Sequence, residues 1–182
     1  MTDLPRHGVT GMQLTDNEVK LFQNYLLDSE SEVAKVHAGD SEDENRDLRD
    51  AKIVYIDQQA NNLYHILNKI AVSANRHFKY DINGIEKAQI ISYEAPSNGY
   101  NYHIDIGPDG TAATRKISMT LMLNDAFEGG EICFRSSEEE ISRKLQVGEV
   151  VLFSSFLSHR VKPVTQGTRH VVVAWFTGPP FR

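Results

Sequence analysis

Ile117-Ser118-Met119-Thr120-Leu121-Met122-Leu123-Asn124 is the stretch that decides the fold. Successive side chains of an extended strand point to opposite faces, so Ile117, Met119, Leu121 and Leu123 share one face. Ser118, Thr120 and Met122 share the other. Outward from this segment the same period of two recurs, giving candidate strands at 88–94, 100–104, 131–134, 141–146, 149–154, 159–164 and 169–177. Short strands at close intervals, punctuated by Gly and Pro, are the pattern of a sandwich or barrel. Gly178-Pro179-Pro180 removes backbone donors and so closes the last strand.

Upstream the period changes. Thr15-Asp16-Asn17-Glu18 has the form of a capping box, and Val19, Phe22, Tyr25 and Leu26 follow it at helical spacing. Residues 52–57 read as a strand, and 59–78 carry a second helical stripe, Leu63, Ile66, Leu67, Ile70 and Ala74. Both stripes are core-packing faces. Strands preceded by helices predict a mostly-β protein, a double-stranded β-helix (jelly roll) buttressed by helices. With no Pro/Gly/Ser linker, residues 1–182 form a single domain, helical support over about 14–80 and jelly-roll core over about 88–178.

Composition narrows the partners. A chain of 182 residues with a formal net charge of -6 lacks the clustered Lys and Arg from which nucleic-acid binders draw affinity. No apolar run of about 18 residues offers a membrane span. Cys133 is the single cysteine, which excludes an intrachain disulfide. With no secretory pattern in the first residues, these features point to the cytoplasm. The acidic segment Asp40-Ser41-Glu42-Asp43-Glu44, within the polar stretch 39–50, reads either as a solvated loop or as a flap near a binding site.

Three residues carry metal chemistry. His103-Ile104-Asp105 in an extended strand would turn its imidazole and carboxylate to one face. Alone this is a weak signal, because 7 His and 25 acidic residues yield roughly one such triplet by chance. His159 follows the apolar strand 150–153 and opens another, where it either caps a strand end or joins His103 and Asp105. Two imidazoles and one carboxylate on one face of an octahedron leave positions open, the arrangement of non-haem Fe(II) oxygenases. Beyond the turn Thr165-Gln166-Gly167-Thr168, Arg169 shares a strand face with Val171, Val173 and Trp175. A charge on that apolar face needs an anion, either an internal carboxylate or a dicarboxylate that also meets the metal.

Tyr93-x9-His103-x-Asp105, Glu128-Gly129-Gly130-Glu131, the segment Gly148-Glu149-Val150-Val151-Leu152-Phe153, and His159-x-Val161-x-Pro163-Val164-x-x-Gly167-Thr168-Arg169 occur in that order. Together they resemble the prolyl 4-hydroxylase-type branch of the 2-oxoglutarate oxygenases, and the last is similar to bacterial PKHD-type hydroxylases. The resemblance spans roughly 88–178, half the chain. It implies Fe(II) on His103, Asp105 and His159, and the C5 carboxylate of 2-oxoglutarate on Arg169, with Tyr93 lining the same pocket and Gly129-Gly130 making a tight turn. It implies O2 as second co-substrate, L-ascorbate as accessory reductant, and no catalytic side chain beyond the metal ligands. A protein or peptide substrate hydroxylated at proline is the implied reaction, with succinate and CO2 released. Where many relatives have a tyrosine on the co-substrate carboxylate this chain has Met122, and Thr120 and Tyr93 are the candidate replacements.

Alternatives at this level are a hydroxylase of a free amino acid or other small molecule, a nucleic-acid demethylating oxygenase, a cupin-like metal enzyme and a non-catalytic metal-binding module. The remaining conspicuous residues read as structural. His37, His65, His77 and His170 are surface or packing histidines, Trp175 and Phe176 end a core strand, and Arg115 and Lys116 belong to a solvated turn after a glycine-containing loop.

Overall fold

A computed structural model of the chain describes residues 9–29, 32–33, 51–135 and 139–181. Its elements in chain order are β1 (Val9–Gln13), α1 (Asp16–Asp28), β2 (Glu32–Val33), β3 (Lys52–Tyr55), α2 (Asn61–Phe78), β4 (Gly84–Ile85), β5 (Gln89–Glu94) and β6 (Tyr100–His103). There follow β7 (Arg115–Met122), β8 (Phe127–Gly129), β9 (Ile132–Arg135), β10 (Glu140–Arg143), β11 (Glu149–Ser154), β12 (His159–Val161) and β13 (Val164–Thr177). Among the described residues the larger sheet runs β1-β11-β7-β13-β5-β3-β2, with β4 and β8 also pairing to β13, and the smaller runs β10-β9-β12-β6. The pairings are antiparallel. The architecture is the expected jelly roll.

Period two in the sequence gives the larger sheet two distinct faces. Ile117, Met119 and Leu121 of β7, Val150 and Leu152 of β11, and Val172, Ala174 and Phe176 of β13 pack with Phe22 of α1 and Leu63, Leu67 and Ile70 of α2. The opposite face packs Ile91, Tyr93, Val151, Phe153 and Val171 against Ile132 and Phe134 of the smaller sheet. Burial of each large apolar side chain is worth about 1.5–3 kcal/mol, so the helix-backed layer supplies much of the stability. A cavity opens on the other face.

Both helices form as their stripes predict. Thr15 caps α1 in a complete capping box, its hydroxyl accepting from the Glu18 amide while the Glu18 carboxylate accepts from the Thr15 amide. Leu63, Ile66, Leu67, Ile70 and Ala74 of α2 are buried as expected. No described helix is long and apolar enough to cross a membrane.

Several expectations need correction. The expected turn 165–168 lies inside β13, because Gln166 and Gly167 pair with Glu128 and Phe127 of β8. β6 stops at His103, so Asp105 lies on a loop and the same-strand argument for it does not hold. The N-terminal part is not purely helical, since β1 pairs with β11 along its whole length. Strand ends otherwise move by a few residues. The stretch 39–50, with His37, lies outside the described residues.

Candidate active site

β6 and β12 lie side by side in the smaller sheet, with His159 paired to His103 and, on its other side, to Phe134. This register juxtaposes the two imidazoles. His103 Nε2 is 3.5 Å from Asp105 Oδ1, His159 Nε2 is 3.6 Å from Asp105 Oδ2, and one ligand atom from each residue falls within 4.8 Å of the others. Both rings are fixed the same way. Nδ1 of His103 donates to the Asn101 carbonyl at 2.7 Å, and Nδ1 of His159 donates to the Leu157 carbonyl at 2.9 Å. A carbonyl only accepts, so each Nδ1 carries a proton, and in the neutral ring Nε2 is the atom left able to bind a metal. His103 also stacks on Tyr100 at 3.7 Å between centroids, and His159 meets the Phe153 ring at 4.6 Å.

Protonation favours the same use. Burial raises the Asp105 carboxyl, but the neighbouring His103 and His159 and the Ser118 hydroxyl outweigh it and hold it well below the usual carboxylate range. Burial, with His103 adding to it and Asp105 opposing, lowers His159 and keeps its imidazole neutral. An ionised carboxylate and a neutral imidazole are ligand forms suited to a divalent cation.

The triad borders a cavity of about 410 Å³ whose wall includes Tyr93, Thr120, Gln89, Val173 and Trp175. Arg169 lies beneath that wall, with 1% of its surface exposed and its guanidinium 5.4 Å from the Tyr93 ring. None of its three nitrogens has a hydrogen-bond partner among the described residues. Burial draws its pKa down to about 10, opposed by Tyr93 and Glu131, so it stays charged at neutral pH. The internal carboxylate considered from the sequence is not bonded to it. Gly130, at φ +69, explains how the arginine fits: a Cβ there would meet Arg169 Cδ at 2.6 Å. This is the expected Gly129-Gly130 turn, joining β8 to β9. Met122 is buried among apolar side chains, while Thr120, two residues earlier on the same face, reaches the cavity.

Three cavity residues, Arg115, Trp175 and Gln89, have roles that the sequence reading did not assign. Arg115 is not solvated. It pairs with Glu86 through two bonds, donates to the Asp105 carbonyl, and stacks on Trp175 at 3.9 Å. Lys116 is also buried, its Nζ over the Phe181 ring. Trp175 does more than end a strand, because it faces the cavity with a buried Nε1 that has no partner among the described residues. Gln89 lines the same wall with an unpartnered Oε1. Trp175 shares the face of Arg169, so alternation hinted at its exposure to the site. Gln89 and Arg115 gave no such hint.

The antiparallel jelly roll gathers two imidazoles and a carboxylate at its cavity, a set that could hold one metal ion. The model of the 2OG-Fe(II) oxygenase superfamily matches residues 88–177. The chain belongs to that superfamily, and its relatives group it with the PKHD-type branch. A PKHD-type hydroxylase of Synechococcus sp. (strain CC9902) is 34% identical over 88 residues, 47% of this chain and 39% of that protein. One from Colwellia psychrerythraea is 38% identical over 90 residues, 47% of this chain and 40% of that protein. The match thus spans about two fifths of the length of these relatives. Among solved structures, a Pseudomonas putida prolyl-4-hydroxylase aligns with a TM-score of 0.76 at 21% identity, covering 95% of this chain and 94% of that one. A Trichoplax adhaerens prolyl hydroxylase, in complex with a hypoxia inducible factor peptide fragment, aligns at 0.74 and 18% identity, covering 94% and 84%. Identities this low establish a shared fold.

Proposed function

We propose that this chain is an Fe(II)- and 2-oxoglutarate-dependent dioxygenase that hydroxylates prolyl residues in a protein or peptide. The observation that carries the co-substrate is Arg169, a buried cation without an acceptor among the described residues, beneath the cavity that the triad borders. Its fork matches a carboxylate, and a dicarboxylate would supply the missing anion. His103 Nε2, Asp105 and His159 Nε2 would hold the metal, with Tyr93 and Thr120 along the co-substrate's path. When bound, Fe(II) supplies the activation of O2 that couples decarboxylation of 2-oxoglutarate to hydroxylation of a C–H bond, releasing succinate and CO2. The protein's share would be to present both Nε2 atoms to the metal and to orient the keto acid from its far end. No side chain beyond the metal ligands is asked to move a proton. L-ascorbate would serve as an external reductant. A single domain in a reducing cytoplasm suits the lone buried cysteine.

The cavity rim supports a peptide. Ile104 and Tyr55 border it and are half exposed, leaving it open to an extended segment. Trp175 and Gln89 are part of its wall, and their Nε1 and Oε1 are buried with no partner among the described residues. Proline already fixes φ, so an extended prolyl segment costs little to order. The test supplies Fe(II), 2-oxoglutarate and ascorbate with free proline or with short proline-containing peptides, reading succinate and a +16 mass product. Peptide turnover with free proline a poor substrate is the expected outcome. Turnover of free proline alone would replace the peptide reading with small-molecule hydroxylation, and no 2-oxoglutarate consumption with any substrate would remove the enzyme reading.

A further inference from the structure

Asp105 is the one member of the triad that no strand holds. His103 ends β6 and His159 begins β12, so sheet hydrogen bonding fixes their backbones. Asp105 follows on a loop that continues through Gly107-Pro108-Asp109-Gly110 to a short 3-10 turn at Ala112–Thr114. Such a segment is a poor platform for a metal ligand, whose geometry must be fixed to within about half an ångström.

Three contacts replace the missing sheet. The Asp105 amide donates to the Ser155 carbonyl at 2.9 Å, and Ser118 Oγ donates to Asp105 Oδ2 at 2.6 Å. The Asp105 carbonyl accepts from Arg115 Nη1 at 3.0 Å. That third contact is itself built. Arg115 Nε and Nη2 meet the two Glu86 carboxylate oxygens at 2.7 and 2.6 Å, and the guanidinium lies 3.9 Å over the Trp175 ring. The Glu86 amide in turn donates to the Trp175 carbonyl at 2.9 Å. Every group that could let Arg115 swing is tied down.

We infer that Glu86 and Arg115 form a positioning clamp that fixes the Asp105 backbone, and that the metal affinity of the site depends on it. The inference rests on the triad reading above. A largely buried ion pair adds little net stability over an apolar replacement, so stability alone gives no reason for this one. Position does. Only a guanidinium can donate two bonds to a carboxylate, donate a third to a carbonyl and stack on an indole at once, and a lysine ammonium cannot. The clamp touches neither metal nor substrate in this role. It acts through Asp105.

Trp175 is the single tryptophan of the chain and lines the cavity beside the triad, so Co(II) titration followed by quenching of its fluorescence reads the site directly. Arg115→Met should raise the Co(II) Kd about 10–100-fold, the range for losing a group that orients a metal ligand. Arg115→Lys should restore part of the affinity and Glu86→Gln should lose less than Arg115→Met, while far-UV circular dichroism stays unchanged. A folded Arg115→Met with a Kd within about twofold of the parent overturns the clamp. Should Arg115→Met fail to fold, parent-like affinity in both Arg115→Lys and Glu86→Gln overturns it instead. His159→Ala is titrated alongside. Parent-like affinity there would sink the triad reading and the clamp with it, whereas lost affinity in His159→Ala and none lost at the clamp would sink the clamp alone.

Discussion

Arg169 sets a problem of physical chemistry at the scale of one residue. A guanidinium removed from water with no acceptor among the described residues costs several kcal/mol, so the fold carries it at a loss. Arg169→Met, which keeps the length and removes the charge, should therefore leave the melting temperature without ligand equal to or above the parent's. The parent should gain stability with 2-oxoglutarate, because a ligand that binds only the native state shifts the melting temperature. The variant should not. Arg169→Lys keeps the charge but loses the fork, and should raise the KM for 2-oxoglutarate more than it disturbs metal binding. Arg169→Ala should cost about 2–5 kcal/mol of co-substrate binding. A 2-oxoglutarate shift of parental size in Arg169→Met would end the anchoring role. The arginine was legible in the sequence because it breaks a strongly apolar alternating strand. Gln89 and Arg115 were not, because what makes them remarkable in chemistry is a partner, or the lack of one, contributed by another strand.

Among the elements, α1 shows how much a local signal can carry. Thr15 and Glu18 cap it reciprocally, and Glu18 also meets Lys69 of α2 at 2.5 Å, so one carboxylate both starts a helix and ties it to its neighbour. The Lys69 hydrogen bond, followed by those from the Thr15 amide and hydroxyl, lowers the Glu18 pKa from 4.5 to about 2. A depressed carboxylate stabilises the fold above its unfolded pKa and loses that contribution as pH falls through the folded value. Lys69 is mostly exposed, so screening limits the effect, and Glu18→Gln should cost about 1 kcal/mol near neutral pH. The gap between parent and variant should be constant down to about pH 5 and close as pH approaches 2. Thermal melts across that range check it, and a gap that persists at pH 2 would mean the charge is not its source. The capping box was readable because its partners lie three residues apart. The span 165–168 misled for the opposite reason: its polar, glycine-containing sequence resembles a turn, and only pairing with β8 makes it strand. β1 went unread because its five residues become a strand through their pairing with β11.

At the scale of the whole molecule, one sheet separates stability from chemistry by alternation alone. Thr120 and Leu121 are consecutive on β7, yet Leu121 is fully buried in the helix-backed cluster while Thr120 lines the cavity. The jelly-roll class was legible because this alternation repeats along the strands of the larger sheet. Which face would hold the site was not, since that depends on where the smaller sheet delivers His103 and His159. The division of labour makes a paired prediction. Leu121→Ala removes apolar contacts and leaves a void, so it should lower stability by about 2–5 kcal/mol and leave the KM for 2-oxoglutarate near the parent's in the folded enzyme. Thr120→Val keeps the side-chain shape and removes only the hydroxyl. It should leave the denaturation midpoint nearly unchanged and raise the KM for 2-oxoglutarate, because that hydroxyl is the polar group closest in sequence to Met122 on the cavity face. Urea denaturation and steady-state kinetics on the two variants decide the matter. If Thr120→Val is as destabilising as Leu121→Ala, or binds 2-oxoglutarate as the parent does, the cavity face is not the specialised surface described and Thr120 has no part in co-substrate binding.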